Sequence, residues 1–251
     1  MPVIVKIVGD EIVESSQILN PNAFPLSVRN NVWACSEKLA LIRYSIQLIE
    51  REINNDLIKF ANALKFGREW EGFTPKPQRG DVAIYHSMSF HAGLQSFFIS
   101  TKSMLDIYAQ IISKLISPRS SLFGFNKGSF RGTRLVGGSL LKWIENNSPV
   151  SYTNKQHLIE LIINHIDSWI SNVVGYRDQI VHHGNINVLI EMCVPLVKKP
   201  QQIRKDEIIL PAIKDKGDLL GYCNYSLQNS YRMLKETIPL LPNVNFELIS
   251  L

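Results

Sequence analysis

In Leu39-Ala-Leu-Ile42-Arg-Tyr-Ser-Ile46-Gln-Leu-Ile49-Glu-Arg-Glu-Ile53-Asn-Asn-Asp-Leu57-Ile-Lys-Phe60-Ala-Asn-Ala-Leu64, apolar residues return at spacings of three and four. That period puts one apolar stripe down a helix from about Val28 to Phe66. Glu50, Arg51, Glu52, Asn54, Asn55 and Lys59 fall on the opposite face. Gly67, then Pro75-Lys76-Pro77 and Arg79-Gly80, end the helix and predict a loop.

Downstream, the same spacing runs through Ile84, Met88, His91, Gln95, Phe98, Lys102, Leu105, Ala109, Ile112 and Ile116, so a second helix is expected from about Val82 to Ile116. At ~1.5 Å per residue each helix would run about 50 Å. A compact chain of this size has a radius of gyration of only roughly 18 Å. An elongated antiparallel arrangement follows, or kinks, with Gly93 as the kink site. Ser117-Pro118 stops the second helix, and a Gly- and Ser-rich segment leads to Gly138. A short helix, about Ser139 to Glu145, comes next. A fourth opens at Thr153 with Gln156 placed for a capping box, and closes at Gly184. The runs Asn187–Pro195 and Glu207–Pro211 read as strands of a hairpin or small sheet, joined by an N-terminal strand around Val3, Val5 and Val8. A last helix begins near Asp218. The expected fold is all-α: a four- to five-helix up-and-down bundle over about 28–184, a small β attachment over about 187–211, and a C-terminal helix over about 218–239. The whole of 1–251 is read as one domain.

The chain has 251 residues, 45% hydrophobic and 20% charged, which is ordinary globular composition. No apolar run reaches the 18 or so residues of a spanning helix. Asp10 interrupts what would be a signal peptide's apolar stretch. The three cysteines, Cys35, Cys193 and Cys223, are too few and too scattered for a disulfide framework and read as packing residues. A cytoplasmic location with no membrane partner is therefore expected. The net charge of +5 permits a nucleic-acid partner without requiring one.

Walker and dinucleotide loops, Gly-x-Ser-x-Gly, His-Glu-x-x-His and Cys-x-x-Cys are all absent. No cofactor and no metal are expected. What remains is Tyr176-Arg177-Asp178-Gln179-Ile180-Val181-His182-His183-Gly184, which packs a permanent cation, a carboxylate and two imidazoles into one helix end. Asp178 and His182, four apart, lie on one face. A carboxylate there fixes an imidazole's tautomer and raises its pKa toward the working range of an acid-base group. Arg177 and His182 are about 140° apart around an ideal helix and do not meet within it. A second copy of the helix across a two-fold axis would complete such a site, so a homodimer is expected. The alternative is a plain helix terminus, with His⁺ answering the macrodipole and Arg177 pairing with Asp178.

Arg177-Asp178-x-x-x-His182 resembles the Arg-x(4–6)-His signature of the HEPN (higher eukaryote and prokaryote nucleotide-binding) superfamily. In that family a polar residue follows the Arg, and the motif sits near the end of a long helix in a four- or five-helix bundle. The helix order over about 28–184 is similar. The resemblance implies a metal-independent endoribonuclease of toxin, defence or RNA-processing type, or else a non-catalytic protein- or nucleotide-binding member. It implies that Arg177 clamps the phosphate, Asp178 orients His182 or Arg177, and His182 serves as acid or base. His183 is a spare imidazole or the catalytic one. RNA is the implied substrate, and an antitoxin or other regulatory protein is a further partner of such systems. Gly184 stands where one toxin subgroup carries a tyrosine.

The segment Arg119 to Arg134 is a second candidate. Arg119, Lys127, Arg131 and Arg134 interleave with Phe123, Phe125 and Phe130, with no acid among them. Such a loop can hold phosphates and stack single-stranded bases. The alternative is a connector whose phenylalanines plug the bundle. His91 and His165, on apolar faces, read as satisfied core histidines. Asp106 reads as exposed or capping, or else as orienting a motif residue. The Lys198–Lys205 run reads as a solvated turn.

Overall fold

A computed structural model describes residues 19–66, 73–76, 81–84, 87–118, 124–183, 192–195, 211–213 and 216–245. The anticipated long helix is present as α1, Leu26–Phe66. Its expected stripe is inside: Leu39, Ile42, Ile46, Ile49 and Ile53 are buried, extended upstream by Val28, Val32 and Cys35. Arg29 Nε donates to the Phe24 carbonyl at 3.0 Å and steadies the entry to the helix.

The second helix, α2, spans Met88–Ile116 and starts later than its periodicity suggests. Ser87 sets the start. Its hydroxyl accepts from the Phe90 amide at 3.1 Å and donates to Glu52 Oε2 at 2.8 Å. The first bond caps one of the orphan amides of a helix terminus, and the second ties that terminus to α1. The residues ahead of it are strand. Phe73–Lys76 (β1), Asp81–Ile84 (β2) and Met192–Pro195 (β5) form an antiparallel sheet in the order β1-β2-β5. Thus Asp81–Ile84 is not helix, and Pro75 lies in an edge strand rather than a loop, where a missing amide is tolerated. The run around Met192 pairs with β2, with Asp81 opposite Pro195. Residues 1–18, 187–191 and 207–210, and the Lys198–Lys205 turn, lie outside the described residues.

Cross-helix bonds fix α1 and α2 as an antiparallel pair. Asn31 Nδ2 donates to Gln110 Oε1 at 3.0 Å, the Ser45 hydroxyl donates to Ser96 at 2.9 Å, and Glu52 meets Ser87. The residue numbers fall on one helix as they rise on the other. Gly93 lies inside the unbroken helix α2, where a Cβ would lie 3.3 Å from Leu48 and Ile49, so its smallness serves the approach of α1. Met88, expected on the inner stripe, is 84% exposed, because the helix begins at that residue.

The glycine-rich segment is not irregular throughout. Lys127–Phe130 (β3) and Thr133–Val136 (β4) form a hairpin whose turn carries Arg131 and Gly132 at positive φ. It leads into α3, Gly138–Asn147. The next helical run is α4, Lys155–His165, a π turn, Ile166–Ile170, and α5, Ser171–His183. The Thr153 capping box does not form; Gln156 donates to Glu160 at 2.9 Å instead. Ala212–Ile213 (β6) pairs with Gly217–Asp218 (β7), and α6, Leu219–Thr237, starts where Asp218 accepts from the Gly221 amide. α2 packs against α5, α1 against α6, α4 against α6, and α3 against both α2 and α4. The architecture is all-α with small antiparallel attachments. Among the described residues no helix is long and apolar enough to cross a membrane.

The hairpin docks on α3 through two glycines. A Cβ on Gly138 would overlap the Gly128 carbonyl, and one on Gly128 would lie 2.6 Å from the Ser139 amide nitrogen. Gly128→Ala and Gly138→Ala should each lower stability by about 1–3 kcal/mol, read as a lower urea midpoint. Gly175, inside α5 with nothing near its missing Cβ, is the control: Gly175→Ala should raise the midpoint.

Candidate functional site

Helix α5 positions the motif. Val173, Val174 and Ile180 are buried and set which way the helix faces. Arg177 and Asp178 are left half-buried at its flank, and His182 is exposed. Arg177 Nη1 donates to Asp178 Oδ1 at 3.0 Å, with about a third of each side chain exposed. Asp178 therefore serves the guanidinium, one of the two roles open to it, and not His182. The guanidinium is a permanent cation whose planar fork matches a carboxylate, and it lies within hydrogen-bond reach of Asp178. His182 makes no hydrogen bond with a described residue. The backbone of His183 is the last turn of α5, and its side chain and Gly184 lie outside the described residues.

Beneath Arg177 sits an aromatic cluster that sequence reasoning missed. Tyr176 packs on Phe98 of α2 at 5.4 Å between ring centroids and on Tyr222 of α6 at 5.9 Å. Its only signal in the sequence was a tyrosine next to the motif. Burial pushes the Tyr222 phenol upward. The buried hydroxyls of Tyr222 and Ser226, four apart on α6, interact with each other but, among the described residues, have no partner in full hydrogen-bond geometry.

The second candidate divides. Arg119 and Phe123 lie outside the described residues. Phe125 and Phe130 are 0% and 4% exposed, so their rings are core and cannot stack on bases, contrary to expectation. The segment reads as hydrophilic by its Gly, Ser and basic content, but the strands of the hairpin turn those rings inward. Asp106 enforces this: it accepts from the Phe125 amide at 2.9 Å and pairs with the buried Lys102, whose ammonium also reaches Asn126 Oδ1 at 3.2 Å. Asp106 thus caps the loop and makes no contact with the motif. Arg131 forks onto Glu145 Oε1 at 2.9 and 2.7 Å and lies 5.0 Å over the Phe130 ring. Lys127 and Arg134 are exposed.

His165 is the satisfied core histidine anticipated. Trp169 Nε1 donates to its Nδ1 at 3.1 Å, so its proton sits on Nε2 and faces Glu236 Oε2 at 3.0 Å. Glu236 is held in turn by Arg232 Nε at 2.7 Å. Both imidazole nitrogens are spent, which bars His165 from acid-base work. His91 is half-buried, against the Phe90 ring. Cys35 and Cys223 are buried free thiols, and burial pushes Cys35 up to about 12, far from a reactive thiolate. Among the described residues no group of three His, Cys, Asp or Glu side chains is placed to hold a metal ion.

Comparisons with protein-family models, curated proteins and solved structures gave no match.

Burial lowers the His165 pKa below 6.5, partly offset by the Glu236 carboxylate. The unfolded chain therefore takes up this proton first as acid is added. The stability that neutral His165 contributes is present above about pH 6.5 and is lost progressively below it. Protonation also breaks the Trp169 bond, since Nδ1 then carries a proton. The urea midpoint should fall from pH 7 to pH 5 more steeply in the native chain than in His165→Gln. Equal slopes would show that His165 does not carry the effect.

Proposed function

We propose that this protein is a HEPN-like, metal-independent endoribonuclease acting as a cytoplasmic homodimer, with Arg177, Asp178 and His182 as half of a composite site. The observation that carries the reading is that Arg177 and His182 both reach solvent from α5, on which residues five apart stand about 140° apart around an ideal helix. One helix cannot bring them to one phosphate, and two copies can.

The chemistry suits these groups. One His182 imidazole takes the 2′-hydroxyl proton. The 2′-oxygen attacks phosphorus, and the bond to the 5′-oxygen breaks. The same histidine of the second copy gives the leaving oxygen its proton. Arg177 holds the phosphate oxygens as negative charge builds, and Asp178 keeps its fork oriented. The products are a 2′,3′-cyclic phosphate and a 5′-hydroxyl. His183, next in sequence, supplies the alternative catalytic imidazole. An antitoxin or other regulatory protein would act by covering this end of α5.

The Arg177–Asp178 pair also favours a second reading, a non-catalytic module that binds nucleotide or protein, because part of the guanidinium's charge is already answered. Incubation with single-stranded RNA in EDTA separates the two. Cleavage is expected, with His182→Ala and Arg177→Ala each slowing it about a hundredfold or more at unchanged circular dichroism. Retention of RNA without turnover would select the binding module. Neither cleavage nor retention would end both readings.

A further inference from the structure

The hairpin and α3 enclose a groove of about 380 Å³ lined by Ser129, Ser139, Lys142, Trp143, Asn146 and Asn147. Arg177 does not line it, and it has no part in the chemistry proposed above. Its size is at the lower end of small-ligand sites. No acid lines it. The nearest carboxylate on α3, Glu145, is already held by Arg131. Lys142 is exposed and makes no bond with a described residue, and the same holds for the Ser129 and Ser139 hydroxyls and the Asn146 amide. Asn147 uses its amide nitrogen on the Trp143 carbonyl at 2.9 Å, which leaves its oxygen as an acceptor. Trp143 is half-buried: part of the indole packs on the core and the rest forms a wall of the groove.

Positive charge continues beyond the groove. Ser129 stands opposite Arg134 across the hairpin, so the two side chains share a face, and Lys127 joins them two residues along the strand. Both cations are exposed. An aromatic wall beside a free ammonium, with hydroxyls and amides between and a basic track leading away, matches a nucleobase with phosphates on either side. A lone anion would have no use for the indole, and a neutral aromatic ligand would have none for the cations.

We propose that this groove binds one nucleotide of a single-stranded nucleic acid, the base stacking on Trp143 and the flanking phosphates meeting Lys142 and Arg134. The strand is preferred to a free nucleotide because exposed cations continue past the groove along the hairpin. Phe125 and Phe130 are spent in the core, and the half-buried Trp143 of α3 takes the stacking part. Docking of the hairpin through Gly128 and Gly138 holds the two walls in place.

The test is the anisotropy of a labelled short oligoribonucleotide on the full chain. It is run with His182→Ala so that binding is read without turnover and does not depend on the nuclease reading. Lys142→Glu and Trp143→Ala should each weaken binding on the order of tenfold, while Trp143→Phe keeps most of it. Lys142→Gln should reduce the slope of log K against log salt by about one. Inorganic polyphosphate and mononucleotides serve as competitors. Unchanged affinity in both Lys142→Glu and Trp143→Ala overturns the proposal. Polyphosphate competing as well as RNA, with Trp143→Ala silent, overturns it in favour of a plain cationic surface. Mononucleotides competing as well as the oligomer overturn the strand in favour of a nucleotide pocket. Because Lys142 is exposed, its variants remain informative even if Trp143→Ala fails to fold.

Discussion

The contact between α1 and α2 sets the frame. Val28, Val32, Cys35, Leu39, Ile42, Ile46, Ile49 and Ile53 form a continuous inner stripe on α1. It meets Phe90, Leu94, Phe97, Phe98, Leu105 and Ile112 on an antiparallel neighbour. Burying side chains of this size stabilises by roughly 1.5–3 kcal/mol each relative to exposure. The polar bonds along that seam, Asn31 to Gln110 and Ser45 to Ser96, add register rather than driving force. α5 packs against α2 and α6 against α1, so the orientation of the motif is inherited from this pair.

Two charged networks then pin the parts that the seam does not reach. Lys102 and Asp106 draw the start of the hairpin segment onto α2, and with it Phe125 into the core. Trp169, His165, Glu236 and Arg232 tie the π turn to α6. Each places a buried group whose partner cannot be removed cheaply, since an unpaired charge or amide in the interior loses its hydration without recompense. The π turn and the motif belong to one helical run, so the second network also limits how far Arg177 can turn.

Arg177 and His182 show what a helix does to a linear motif. Five residues apart in sequence, they are separated around the axis, and Asp178 pairs with the permanent charge beside it. The chemistry proposed for them is intermolecular for that reason. The groove on α3 is the opposite case: Ser129 and Trp143 are far enough apart in sequence to look unrelated and become neighbours once the hairpin folds onto the helix.

Periodicity alone determined α1 and the body of α2, because alternating threes and fours have only one helical reading. The Asp218 cap and the core role of His165 were legible for similar local reasons. The start of α2 was decided by Ser87 bonding Glu52, thirty-five residues away, and the pairing of Met192–Pro195 by a strand more than a hundred residues upstream. The fate of Phe125 and Phe130 was likewise tertiary: an aromatic in a basic, glycine-rich segment reads the same whether it meets solvent or core, and only the Asp106 anchor and the docking glycines turn it inward. What a sequence carries on its own is the pattern each element presents. Which partner answers that pattern depends on distances that exist only after the chain has packed.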